Sequence, residues 1–188
     1  TKNSVNIKEM DYTNLYGREY GLIQSREVPD DYKAKIIEWL YLNSNDIVLE
    51  IGCGAGNLLK FLRKYSPKTI GMDINKTIIK IANNPKTVAG DITNPPFPPS
   101  TFDKTLSLHT LEHVKDLKKA LQKLDLISKE GSLSFHAFPA EILRGVGAFN
   151  EAWALTGNPI KAFFLARKLH IHKLNPKKIS DLIKGSNW

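Results

Sequence analysis

Residues 48–58 read V-L-E-I-G-C-G-A-G-N-L, and this stretch decides the fold. A short apolar run carries one carboxylate, Glu50. Glycines follow at every second position: Gly52, Gly54 and Gly56. An apolar helical segment begins straight after them. The pattern is a buried strand that feeds a tight turn into a helix N-terminus. Glycine lets the backbone turn sharply and lets a ligand lie against bare main chain. The helix start adds free N–H groups and partial positive charge.

Two ligand classes use such a turn. Dinucleotides want G-x-G-x-x-G, with the pyrophosphate on the helix end. Here Asn57 stands where that third glycine would be, and Gly56 comes one residue early.

Working outward, residues 32–42 show helical spacing of apolar positions. Strands are expected at 47–51, 69–73, 87–89, 102–108 and 132–137. Helices are expected at 57–64, 75–82, 117–127 and 176–183. Residues 94–99 form a proline-rich loop, and Glu130-Gly131 a turn before the fifth strand. Alternating strands and helices imply right-handed crossovers and a parallel sheet covered on both faces. Such a sheet binds its ligand at the carboxyl ends of its strands, where strand order reverses. The distinctive residues fall at those ends: the glycine loop, Asp73, Asp91 and His109.

Composition fits one ordinary domain. The chain has 188 residues, 41% hydrophobic and 24% charged, enough to bury a real core. Its apolar runs fall short of the ~20 residues of a membrane span. The polar start, residues 1–11, lacks a signal-peptide core. The single cysteine, Cys53, excludes an internal disulfide and reads as packing. A cytoplasmic protein is expected. The net charge of +8 admits an anionic partner, although the lysines are scattered like solvated ones.

E-I-G-C-G-x-G resembles motif I of the class I methyltransferases, which bind S-adenosylmethionine (SAM). Residues 106–114, L-S-L-H-T-L-E-H-V, resemble the strand-four segment of the small-molecule, type 11 branch. Residues 91–103 resemble that branch's loop before the same strand. The resemblance covers residues 32–137 and, more loosely, 172–183. It implies an α/β fold, a Rossmann-like doubly wound and mostly parallel sheet. The family adds two further strands after the closing helix. This chain stops before them and begins without methionine, so a truncated chain is expected. Within a single domain over 1–188, the implied division is an N-terminal helical or lid region (1–45), a SAM-binding core (46–137), an insert that sets acceptor choice (138–174) and a closing helix (175–188).

The resemblance also assigns roles. Gly52, Gly54 and Gly56 cradle SAM. Asp73 accepts the ribose hydroxyls, against an alternative role as a helix cap. Asp91 accepts from the adenine amino group, with Ile74 and Ile92 as apolar walls. Glu50 orders the glycine loop and reaches towards the methionine amino group through water. His109 lies beside the methyl group. Histidine titrates near neutrality, so it is the candidate general base; the other reading is a structural residue that touches the cofactor through its backbone.

Two patterns invite other chemistry. His109-x-x-Glu112-His113 matches the reversed zinc-protease motif, which needs a long helix. Related methyltransferases with E-x-x-E-H there bind a divalent metal, but histidine stands at the first position here, and no metal ligand is assigned. Asn94-Pro95-Pro96-Phe97 matches a nitrogen-methylation signature, which in those enzymes ends strand four; here it precedes that strand.

The expected function is methyl transfer from SAM to a small-molecule acceptor that is anionic or amphipathic. The alternatives are an RNA-modifying methyltransferase, suggested by charge, and a SAM-binding module without catalysis. A dehydrogenase is disfavoured by Asn57 and by the absence of a Tyr-x-x-x-Lys pair. Tyr16 and Tyr20 would form a lid or, equally, pack in the core. Arg144, Arg167 and Lys168 among the aromatics of the insert would meet the acceptor, against an alternative in which Phe163 and Phe164 pack the segment onto the sheet and the basic residues are solvated. A homodimer is the expected use of a bare sheet edge.

Overall fold

The computed structural model describes residues 28–82, 84–137 and 176–183. The lid tyrosines and the insert lie outside the described residues. Helix α1 (Asp30–Trp39) leads to strand β1 (Val48–Ile51), then α2 (Asn57–Leu62) and β2 (Ile70–Asp73). Next come α3 (Lys76–Ala82), β3 (Thr87–Ala89) and β4 (Phe102–Leu108). A single 3-10 turn (Leu111–His113), α4 (Leu117–Ile127), β5 (Ser128–Ala137) and α5 (Pro176–Ile183) complete the order.

The five strands form one sheet in the order β3-β2-β1-β4-β5, and every pair is parallel. Strand order therefore reverses between β1 and β4, at the start of the glycine loop. β1 is buried along its whole length, as a central strand covered on both faces must be. Val48 points into a cluster with Ile36 and Leu40 of α1, Leu58 and Leu62 of α2, and Leu106. Leu49 and Ile51 point the other way, against Met72, Phe102 and Ala120, Leu124 and Ile127 of α4. A period of two on the strand thus serves two helical layers.

Helix α4 buries Leu117, Ala120, Leu121, Leu124 and Ile127, the spacing of one helical face. Asp116 Oδ1 caps it by accepting the Lys119 N–H at 3.0 Å. Helix α3 is capped by Asn75, whose Oδ1 accepts from the backbone of Thr77 and Ile78. Leu182 of α5 packs against Leu111, Leu117 and Leu121.

β5 starts earlier than the expected residue 132. The chain passes from α4 straight into strand at Ser128, which pairs with Phe102, and its Oγ donates to the Leu124 carbonyl at 2.8 Å. The register then shifts, so that Lys104 faces Leu133. Gly131, at φ +72°, absorbs the extra residues. The expected Glu130-Gly131 turn is therefore a bulge within the strand. No helix among the described residues is long and apolar enough to cross a membrane.

Candidate functional site

Among the described residues, four loops leave the carboxyl edge of the sheet: residues 52–56 after β1, then those that follow Asp73, Ala89 and Leu108. The glycine loop is tied to β2 by two bonds to one carbonyl, with Gly52 N and Cys53 N donating to Met72 O at 2.7 and 3.1 Å. Gly52, Gly54 and Gly56 all have left-handed φ, at +72°, +50° and +77°, which side chains rarely adopt. A Cβ on Gly52 would collide with the Thr110 side chain. Thr110 in turn donates to the carbonyls of Ile51 and Leu108, stitching the ends of β1 and β4 together. Gly54 differs: a Cβ there would meet nothing within 4 Å. Its bare backbone faces open space, as a ligand cradle requires.

Cys53 sits over Gly71, where a Cβ would come within 2.7 Å of the sulfur. Burial pushes the thiol pKa up, so this cysteine packs the loop onto β2.

Asp73 ends β2. Its Oδ2 accepts the Gly54 N–H at 2.9 Å, and its Oδ1 accepts the Asn75 N–H at 2.8 Å. Holding the glycine loop, the role expected of Glu50, is thus seen at Asp73. Burial raises the pKa of this carboxyl, against the backbone N–H groups that lower it. Each oxygen retains a lone pair for a further donor, and the helix cap falls to Asn75.

Glu50 lies beneath the loop, 5% exposed, and its Oε2 has no hydrogen-bond partner among the described residues. Burial, and then the charge of Asp73, lift its pKa to about 8. A buried carboxyl oxygen without a donor is costly, so this position suits an incoming ammonium group.

The third strand end joins the second: Gly90 N donates to Asp73 O at 2.9 Å. Asp91 is exposed, and its Oδ1 accepts the Thr93 N–H at 2.8 Å. Ile74 is 39% exposed, whereas Ile92 is packed in the core at 5%. Of the two expected apolar walls, only Ile74 presents its side chain at the surface. Asn94 forms a bridge with Asp91, and Phe97 packs edge-on against Phe102 at 4.9 Å. The N-P-P-F stretch is therefore a packed loop ahead of β4.

His109 follows β4. It is a non-glycine residue at φ +51°, fixed by its N–H donating to Ala137 O at 2.9 Å. The 3-10 turn after it places Glu112 in the interior. H-x-x-E-H is thus spread over a strand end and a single turn, and no cluster of three metal-binding side chains occurs among the described residues. Sequence reasoning missed Thr110, and it missed a partly buried pair in which Ser107 Oγ and His136 Nδ1 lie 2.9 Å apart. Only the register of β4 with β5 reveals that pair.

An S-adenosyl ligand fits this edge. The open face of Gly54, the unpartnered oxygen of Glu50 and the spare lone pairs of Asp73 match a cofactor with an ammonium group and a ribose diol.

A family model described as a methyltransferase domain matches residues 49–135. YrhH of Bacillus subtilis (strain 168), which carries a provisional methyltransferase name, is 30% identical, over 62% of this chain and 67% of its own length. The sterol 4-C-methyltransferase strm-1 of Caenorhabditis elegans is 29% identical, over 51% of this chain and 32% of its own. The 18S rRNA (guanine-N(7))-methyltransferase bud23 of Schizosaccharomyces pombe is 23% identical, over 59% and 44%. The crystal structure of YcgJ from Bacillus subtilis superposes with a TM-score of 0.64 at 19% identity, over 83% of this chain and 67% of that one. The chain spans 45%, 32% and 54% of the length of three of the curated relatives that it matches.

Proposed function

Because this chain belongs to the class I SAM-dependent methyltransferases, we propose that it carries a methyl group from SAM to a small-molecule acceptor. The observation that carries the reading is the Gly54 backbone, open on one side and held on the other by Asp73. Gly52, Gly54 and Gly56 would lie along the methionine part of the cofactor. Asp73 would take the ribose hydroxyls and Glu50 the ammonium group. Asp91 and Ile74 would meet the adenine, with Ile92 supporting the loop from within the core. When bound, the cofactor supplies an electrophilic methyl group on a sulfonium.

The protein's own contribution is alignment: it holds the acceptor in line with the carbon–sulfur bond. His109, exposed at the end of β4, would take the acceptor's proton as the new bond forms. Its backbone strain supports a placed role, since such strain tends to gather at functional sites.

The relatives named for a sterol and for ribosomal RNA keep two acceptor classes in view. The net charge of +8 favours the second in one respect, attraction to phosphates. Incubation with methyl-labelled SAM in a cell extract, followed by sorting into small-molecule, lipid, RNA and protein fractions, tests the reading. Label in the small-molecule fraction supports it. Label in RNA alone replaces it with the RNA reading, and binding of SAM with no transfer replaces it with a non-catalytic module.

A further inference from the structure

Glu112 is 2% exposed, and neither of its carboxyl oxygens has a hydrogen-bond partner among the described residues. Its Oε1 lies between two imidazoles, 3.7 Å from His109 Nδ1 and 4.0 Å from His113 Nε2. The rings differ in where they lead. The His113 side chain is 15% exposed, whereas that of His109 is 62% exposed and stands at the strand end that faces the site. Leu111, buried at 2%, pins the turn that carries Glu112.

We propose that Glu112 is a positioning residue for His109. Its carboxylate accepts the Nδ1–H of the ring and so fixes the tautomer in which Nε2, on the opposite side, holds the lone pair for the acceptor's proton. The separation of 3.7 Å is longer than a hydrogen bond, and such contacts often tighten only when ligand is bound. The left-handed backbone of His109 and its bond to Ala137 keep the ring close to that arrangement. A carboxylate behind an imidazole sets which ring nitrogen carries the proton and stabilises the imidazolium. In the transfer step the carbon–sulfur bond breaks and the carbon–acceptor bond forms. The acceptor's proton passes to Nε2, S-adenosylhomocysteine leaves, and the ring then returns the proton to water. The inference rests on the reading of His109 as the base.

The test is long-range proton–nitrogen NMR on the full chain with 15N-labelled histidine, saturated with S-adenosylhomocysteine at about pH 8, above the ordinary histidine range. The His109 signals are identified by their loss in His109→Asn. The wild type should show the Nδ1–H tautomer at His109. Glu112→Gln should convert His109 largely to the Nε2–H form common in water, while Glu112→Asp and His113→Asn retain the Nδ1–H form. An Nε2–H form in the wild type overturns the inference with no variant needed. So does a His109 tautomer unchanged in Glu112→Gln, or one lost in His113→Asn instead. Failure of the base reading is seen separately: His109→Asn would then transfer label in extract at the wild-type rate, whatever the tautomer.

Discussion

Glu50 should make cofactor binding release a proton. Burial and the charge of Asp73 hold this carboxyl at about 8, against an ordinary value of 4.5. Near pH 7 it is therefore about nine-tenths protonated in the folded state and ionised in the unfolded one. Between these two values the fold binds the extra proton. Its contribution to stability is then full below pH 4.5 and is lost as pH rises through 8; the span of the shift corresponds to about 5 kcal/mol, as an order of magnitude. An ammonium group set against Oε2 reverses this balance, because an opposite charge at contact favours the carboxylate. Calorimetry of S-adenosylhomocysteine binding near pH 7, in buffers of different ionisation enthalpy, counts the protons. The wild type should release about 0.9 proton more than Glu50→Gln, and the difference should fade above about pH 9. The ligand's own amino group also titrates, which is why the variant is the reference. Affinity should improve by up to about tenfold per pH unit on the way to 8. Equal proton release by the two proteins would refute the placement of the ammonium group at Glu50.

Other perturbations separate the remaining roles. Asp73→Ala should weaken S-adenosylhomocysteine binding by about 2 kcal/mol, roughly thirtyfold, since it removes a charged acceptor and the hold on Gly54; titration calorimetry at unchanged affinity would remove Asp73 from the site. Gly54→Val should abolish binding, because the side chain would fill the open cradle, and the left-handed φ should cost about 1–2 kcal/mol, visible as a lower melting temperature; undiminished binding would move the ligand elsewhere. His136 is held by burial at about 4, below its ordinary 6.5. The unfolded chain thus takes up a proton that the fold refuses, and stability should fall by up to about 3 kcal/mol as pH drops from 6.5 to 4. His136→Asn should flatten that part of the pH profile in denaturant titrations; an unchanged slope would mean that the ring is not buried neutral. Replacing residues 138–174 with the matching segment of a related methyltransferase should change the acceptor and spare cofactor binding, and unaltered acceptor preference would place specificity elsewhere.

How far the amino-acid sequence by itself reveals this fold depends on the range of each signal. Strands β3 and β4 and helices α4 and α5 fall at their expected bounds, because apolar periodicity and turn residues are local properties. The start of β5 does not. Its first residues are polar, and they join the sheet only through pairing with Phe102, followed by the bulge at Gly131. The glycine loop and Asp73 are legible because their types and spacing carry the chemistry. Which carboxylate holds the loop is not, since that depends on Asp73 Oδ2 reaching Gly54 across 19 positions of chain. Adjacency to Asp91 makes Ile92 read as an adenine wall, but the turn that frees Asp91 drives the next side chain into the core.

The costs in this structure argue for where its function lies. A chain selected only for stability avoids left-handed backbone and unpartnered buried polar atoms. Among the described residues, Gly52, Gly54, Gly56 and His109 have positive φ, as do Tyr41, Ser100 and Gly131. Glu50 Oε2, both oxygens of Glu112, Nε2 of His136 and Nε of Arg63 are buried without partners among the described residues. Four of the first group, Gly52, Gly54, Gly56 and His109, lie in the loops leaving β1 and β4, on either side of the point where strand order reverses. Three residues of the second group border the same edge: Glu50 precedes the loop by two positions, Glu112 follows His109 by three, and His136 pairs with Ser107, which itself pairs with Ile51, while Arg63 caps the end of α2. A stable fold can sustain such groups, and the carboxyl oxygens at the sheet edge then become acceptors ready for a ligand. If S-adenosylhomocysteine binds as assigned, amide exchange should slow at residues 52–56 and 109–113 more than in the helices, because ligand binding protects what it orders. Protection spread evenly over the chain would mean that these unsatisfied groups are not where the ligand is held.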